Sequence, residues 1–170
     1  MSQKFTNSTL SGILEIDKLK NVDMPIENAN GLPNECYTNA DYLDYEREKI
    51  FCNKWIVIGV ASSIPNPGDA RPYNLLGIPL ILVRDKDMGI KVFHNVCSHR
   101  GFKLVDKPCT LKNVIRCPYH SWSYDFKGNL IATPHIGCLN NHQSEKFDKN
   151  KINLKEVKSK VWMDIIFVNI

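Results

Sequence analysis

The chain predicts a mainly β protein: an antiparallel sandwich or barrel with a small subdomain of loops at one end, preceded by an N-terminal helix. Three observations carry this. Short β-branched and apolar runs recur from Trp55 onward. Turn signals separate them, at Pro65-Asn66-Pro67-Gly68-Asp69, Asp85-Lys86-Asp87-Met88-Gly89 and Lys127-Gly128-Asn129. Two Cys/His pairs, each beside a Gly or Pro, fall between those runs. Many short strands with Gly and Pro turns belong to all-β folds.

Residues 1–37 read as a polar leader whose apolar cluster is Leu10, Ile13, Leu14, Ile16 and Leu19. The spacing of Leu10, Ile13 and Leu14 predicts a helical face over residues 8–20. Residues 21–34, rich in Asn with Pro25, Gly31 and Pro33, read as a loop. The main domain is expected over residues 38–170. It opens with a helix at about residues 39–52, where Tyr42, Leu43, Glu46, Ile50 and Phe51 follow helical spacing. Thr38 is the expected cap, and Asp41 adds negative charge to the first turn.

Residues 55–61 begin the β series. Residues 70–76 and 78–84 form a pair around Gly77, and 90–96 runs into the first Cys/His loop. Residues 114–116 enter the second loop, 121–126 leave it, and 130–133 follow the turn at Gly128. Residues 161–168 close the series as one strand. The Lys-rich stretch 140–160 reads as a solvated excursion.

At 170 residues the chain has the size of one domain with a proper core. Its 43% hydrophobic and 24% charged content is that of an ordinary globular protein. The net charge of +4 is mild, and basic residues interleave with acidic ones, which gives nucleic-acid binding no support. A weakly basic face suits an acidic electron-transfer partner. No apolar run approaches the roughly 20 residues of a membrane span, and Met1-Ser2-Gln3-Lys4-Phe5-Thr6 opens no signal-peptide region. A cytoplasmic location without a membrane partner is expected. Cys36, Cys52, Cys109 and Cys138 show no disulfide framework and read as free thiols.

The chemistry concentrates in residues 94–125. Cys97-Ser98-His99-Arg100-Gly101 offers a C-x-H pair, and Cys117-Pro118-Tyr119-His120-Ser121-Trp122 a C-x-x-H pair, with 17 residues between His99 and Cys117. Two thiolates suit one iron of a [2Fe–2S] cluster and two imidazoles suit the other, the ligand set of a Rieske centre. Neutral imidazoles leave the cluster less negative than four thiolates would. Such centres therefore have potentials of roughly −150 to +300 mV, against about −400 mV for plant-type ferredoxins. Two readings compete. A tetrahedral Zn²⁺ site also takes two Cys and two His, although common zinc modules group like with like. The four residues could also be unrelated packed or surface groups.

These residues resemble the Rieske non-haem iron oxygenases, in particular the N-terminal domain of the ring-hydroxylating dioxygenase α subunits and their amine-oxidising relatives. Phe93-His94-Asn95-Val96-Cys97-Ser98-His99-Arg100-Gly101 and Cys117-Pro118-Tyr119-His120-Ser121-Trp122-Ser123-Tyr124 both look like the signatures of those subunits. Leu32-Pro33, Tyr37 and the helix ending near Phe51 and Trp55 resemble the segment before the Rieske domain there. Respiratory Rieske proteins carry an extra cysteine in each loop. Here Gly101-Phe102 and Tyr119 stand in its place, so no such disulfide forms and the potential should lie low in the Rieske range.

The resemblance implies a Rieske-type fold with Cys97 and Cys117 on one iron and His99 and His120 on the other. It implies a ferredoxin or flavin reductase as electron donor, and as acceptor a mononuclear Fe(II) in the catalytic domain of the same or a neighbouring subunit. The parent reaction is hydroxylation or demethylation of an organic substrate with O₂. His94, His135 and His142 form no facial-triad pattern, and Ile165-Ile166-Phe167-Val168-Asn169-Ile170 resembles the strand that leads into the catalytic domain. That domain is thus expected to be absent, and this oxygenase component to turn over no substrate alone. A stand-alone Rieske-type electron carrier is the alternative.

Around the four residues, Gly101 is expected to permit a tight turn, Pro118 to extend Cys117, and Trp122 to pack beneath the second loop. Packing is the expected role of Tyr119 and Tyr124, and a structural role that of His94. His135 and His142 have no partner spacing.

Overall fold

In a computed structural model the described residues are 14–142, 144 and 147–170. The chain falls into two units, which meet in sequence between Lys54 and Trp55.

In the first unit, residues 8–13 of the expected N-terminal helix lie outside the described residues, and Ile16–Leu19 forms one 3₁₀ turn. That spacing aligns residues three apart, as in the pair Lys20–Asp17 at 2.7 Å. A short helix follows at Glu35–Thr38 and a second at Ala40–Glu46. Asn39 separates them in extended conformation, and its side-chain oxygen accepts from the amides of Asp41 (2.8 Å) and Tyr42 (3.3 Å). The cap is therefore Asn39. Thr38 belongs to the preceding helix, where its hydroxyl donates to the Asn34 carbonyl at 3.0 Å. Asp41 stands in the first turn as expected. At Arg47–Phe51 the helix widens to a π turn, and Cys52 N–H donates to the Arg47 carbonyl at 2.9 Å.

The second unit is mainly β, as the sequence predicts. Its strands are β1 (Ile56–Val60), β2 (Asp69–Leu75), β3 (Ile78–Arg84), β4 (Ile90–His94), β5 (Cys109–Thr110), β6 (Ile115–Arg116), β7 (Ser123–Tyr124), β8 (Leu130–Ala132), β9 (Glu156–Trp162) and β10 (Ile165–Asn169). Seven make a sheet in the order β1-β10-β9-β4-β3-β2-β5, and three make a second, β6-β7-β8. Every pairing is antiparallel.

The β2–β3 hairpin turns at Leu76 and Gly77, with φ of 48° and 90°, the geometry of a two-residue type I′ turn. The same turn recurs at Met163 and Asp164, with φ of 48° and 67°. The expected single strand over residues 161–168 is therefore a hairpin, and the expected excursion over 140–160 already becomes β9 at Glu156. Neither Met nor Asp announces a type I′ turn as Asn-Gly would. Tertiary bonds hold it: the Asp164 carboxylate accepts from the amide (2.9 Å) and hydroxyl (2.7 Å) of Ser62.

Strand β3 is apolar from Ile78 to Val83 because it lies inside the sheet, with Leu80, Ile81, Leu82 and Val83 all buried. One core joins Ile81, Val83 and Phe93 of the large sheet to Ile115, Tyr124 and Leu130 of the small one. Each such side chain stabilises the fold by roughly 1.5–3 kcal/mol. Gly128 lets the β7–β8 turn approach this core. Its φ is +87°, and a Cβ there would stand 2.6 Å from the Phe93 ring. The same core contains Cys97, Cys117 and Trp122. Among the described residues no helix is long and apolar enough to cross a membrane.

Candidate metal centre

Two loop tips enter that core, and their backbones are alike. In the first, Cys97 N–H donates to the Phe102 carbonyl at 2.8 Å, and Gly101 N–H donates to the Cys97 carbonyl at 2.9 Å. In the second, Cys117 N–H donates to the Trp122 carbonyl at 2.8 Å, and Ser121 N–H donates to the Cys117 carbonyl at 3.0 Å. Both are six-residue turns that open on Cys and have left-handed backbone at the fifth residue, Gly101 (φ 70°) and Ser121 (φ 59°). The histidine stands third in one turn and fourth in the other, which is why the spacings read C-x-H and C-x-x-H.

The small sheet carries the second tip. Pairing of Ile115 with Tyr124 and Arg116 with Ser123 brings the chain into and out of it. The first tip is closed by a bridge between Val96 and Lys103. Asn95, wholly buried, fastens the return arm: its side-chain oxygen accepts from the amides of Leu104 (3.2 Å) and Val105 (3.0 Å). Its side-chain amide donates to the Val105 carbonyl at 2.6 Å.

The turns bring the expected residues together as two pairs, Cys97 beside Cys117 and His99 beside His120. Cys97 and Cys117 are each only 2% exposed. Burial pushes the Cys97 thiol up, and the adjoining Cys117 adds to this, partly offset by a bond from Tyr124. A metal ion there would take the thiolate and release the proton. His99 and His120 are half-buried, with ring centres 4.9 Å apart. Burial, and then the charges of His120 and Arg100, hold His99 below the ordinary histidine value, so its imidazole is neutral at pH 7. Neutral imidazole is the metal-binding form.

His120 Nδ1 is buried and has no hydrogen-bond partner among the described residues. Such an atom costs stability unless something binds it. An adjoining pair of buried thiols, a pair of neighbouring imidazoles and this buried open nitrogen suit a metal centre with soft sulfur and imidazole donors. Among the described residues, no three or more His, Cys, Asp or Glu side chains are grouped as a metal-ion site.

The environment corrects several expectations. Tyr124 does more than pack. Its oxygen lies 3.2 Å from Cys97 Sγ and accepts from the Ser98 amide at 3.1 Å. Burial pushes its phenol up, which keeps it protonated and able to donate toward a thiolate sulfur. Trp122 stacks on His99 of the opposite tip, with centres 4.4 Å apart and planes within 7°. Tyr119 is exposed, and its ring lies 3.7 Å from that of His120. His94 ends β4, its amide bonded to the Lys155 carbonyl. Burial, then the Lys155 charge, lowers its imidazole.

His135 and His142, expected to be unconnected, pair with ring centres 5.0 Å apart. Nδ1 of His142 accepts from the His135 amide at 3.0 Å, and Nδ1 of His135 from the Asn140 amide at 2.9 Å. They pin the loop after β8. With His99, His120, Arg100, Arg116 and Tyr119, His135 lines a hollow of about 590 Å³. The Tyr124 bond has a sequence signal in retrospect, because register with Ile115 on the strand entering the second tip points Tyr124 into the core.

A mainly antiparallel β unit with two Cys/His turns buried in its core defines an iron–sulfur protein of the Rieske type in outline. Comparison with known proteins makes this specific: the Rieske [2Fe-2S] domain family matches residues 54–143, and the chain belongs to that family. The carnitine monooxygenase oxygenase subunit of Escherichia coli (strain K12) is 32% identical over 138 residues, which cover 81% of this chain and 36% of the relative. The benzene 1,2-dioxygenase α subunit of Pseudomonas putida is 31% identical over 146 residues, covering 84% and 31%.

Among solved structures, a quaternary ammonium Rieske monooxygenase in complex with γ-butyrobetaine aligns with a TM-score of 0.75 at 30% identity, covering 92% of this chain and 42% of the other. Naphthalene 1,2-dioxygenase from Rhodococcus sp. bound to indole gives 0.72 at 27% identity, covering 81% and 31%. The chain thus spans about a third of the length of the curated relatives it matches.

Proposed function

We propose that Cys97, His99, Cys117 and His120 hold a Rieske [2Fe–2S] cluster, the cysteines on one iron and the histidines on the other. In this reading residues 38–170 are the electron-transfer domain of an oxygenase that hydroxylates or demethylates an organic substrate with O₂. The donor is a ferredoxin or flavin reductase. The acceptor is a mononuclear iron in a catalytic domain of the same or a neighbouring subunit. The observation that carries the reading is the buried Nδ1 of His120, unpartnered among the described residues, taken with the adjoining buried pair Cys97 and Cys117. Donors standing as two pairs also suit two irons better than one zinc ion, which takes four around a point.

When bound, the cluster supplies a one-electron relay at a potential raised by its neutral ligands. The chain's own residues do the rest. The paired turns fix both cysteines by backbone bonds. Burial keeps water from the sulfurs, and the Tyr124 hydroxyl, 3.2 Å from Cys97 Sγ, would donate to that sulfur once it is a metal-bound thiolate. The half-buried histidines face the hollow, where electron exchange with a partner has the shortest path. Arg100 and Arg116 in that wall favour an acidic partner surface.

The test is chemical analysis with EPR of the dithionite-reduced protein. Two irons with labile sulfide per chain, a red-brown colour and a mixed-ligand Rieske signal are expected. A colourless protein with one zinc ion would overturn the reading.

A further inference from the structure

We infer that Trp122 is a positioning residue that clamps the His99 ring by its π face and lowers the reduction potential of the centre held there. This rests on the proposed cluster site and goes beyond the ligand set. Trp122 belongs to the second tip by its backbone, since its carbonyl accepts from Cys117 N–H at 2.8 Å. Its side chain crosses to the first tip and lies parallel to His99, 4.4 Å between centres and 7° between planes. One residue thus ties the Cys117 turn to the imidazole of the other turn. The indole is itself held: it is 3% exposed and meets Phe147 edge-on at 5.5 Å and 70°. The ring orientation of His99 is therefore fixed from a core residue, not by solvent.

The effect on potential has a definite sign. An imidazole bound to ferric iron carries more positive charge than one bound to ferrous iron. An indole face attracts positive charge, and does so better than a benzene ring. Stacking therefore stabilises the oxidised state more and opposes reduction. Trp122 acts against Tyr124, whose hydroxyl favours the more negative sulfur of the reduced state.

Two variants separate this from simple packing. Trp122→Leu keeps an apolar side chain without a π face, and Trp122→Phe keeps a weaker one. Measured by EPR-monitored titration of the holoprotein, Trp122→Leu should raise the reduced-to-oxidised ratio at a fixed potential about tenfold, which is about 59 mV for a one-electron couple. Trp122→Phe should move it the same way by less. Phe147→Ala, which frees the indole edge, should broaden the EPR signal through a less uniform His99 orientation. An unchanged or lower potential in Trp122→Leu, with a Rieske signal intact, overturns the inference. If Trp122→Leu bleaches, Trp122→Phe decides by the same criterion. If both bleach while the parent is coloured, Trp122 serves folding alone and the inference fails. A parent without iron and sulfide would instead remove the cluster reading beneath it.

Discussion

The first tip, residues 97–102, and the second, residues 117–122, share one backbone turn and diverge in what hangs from it. Both open on a buried cysteine and close through the same two amide bonds. At the last residue Phe102 is 43% exposed and turns outward to Tyr119, while Trp122 is buried and reaches across to His99. At the fifth, a glycine stands in one and a serine in the other, both with left-handed backbone. The repeated part sets the sulfurs. The divergent part sets how the imidazoles are held and which side of the site meets solvent.

The strongest way to break this comparison is to exchange the proposed ligand types. His120→Cys puts an anionic donor where a neutral one stands, at a half-buried place with room for a smaller side chain. Colour should persist, and the potential should fall by well over the ~59 mV of a tenfold step, toward the all-cysteine range near about −400 mV. Potentiometry showing no change would mean that His120 does not bind iron. The reverse exchange, Cys97→His, forces an imidazole into a site 2% exposed in the core. Overpacking costs typically about 1–3 kcal/mol, and iron content should collapse.

Tyr124→Phe sharpens the comparison at the sulfurs. Tyr124 serves the first tip, touching Cys97 Sγ and the Ser98 amide. The variant keeps the ring and removes the donor, so the reduced state loses more than the oxidised one. The potential should fall by up to about 59 mV, a tenfold step. Stability should fall by roughly 1–2 kcal/mol, because the Ser98 amide loses its acceptor. A rise in potential would contradict the donor role.

The strands around the site were legible because periodicity and turn residues agree: β3 at Ile78–Arg84 lies where its apolar run and Gly77 put it. The Met163-Asp164 turn was not, because its left-handed backbone is held by Ser62, about a hundred residues away, rather than by local chemistry. Asn39 displaced Thr38 as cap for a similar reason. Both are good capping residues, and the short helix before them absorbs Thr38. In the site, the four proposed donors rest on spacing and residue type. The equality of the two turns could not be read there, since C-x-H and C-x-x-H look different until Gly101 and Ser121 are seen to occupy one conformation. Trp122 reads as an apolar residue near a proposed ligand, and nothing local says that it crosses to the other tip.

The smallest effect tests the shared turn itself, by exchanging its fifth residues. Left-handed backbone costs a side-chain-bearing residue roughly 1–2 kcal/mol, and glycine escapes that cost at the expense of greater freedom when unfolded, about 0.4–1 kcal/mol. Ser121→Gly should therefore stabilise the protein by up to about 1 kcal/mol, seen as a rise in the urea midpoint at unchanged slope. Gly101→Ser should destabilise it by a similar amount. A Cβ at Gly101 meets only Val96 Cγ1, at 4.0 Å, so backbone conformation alone is being weighed. If the turns are equivalent, the two changes have opposite signs and the double exchange nearly restores the starting stability. Equal signs would mean that the tips differ in backbone energetics, and that their matching hydrogen bonds arise from different constraints.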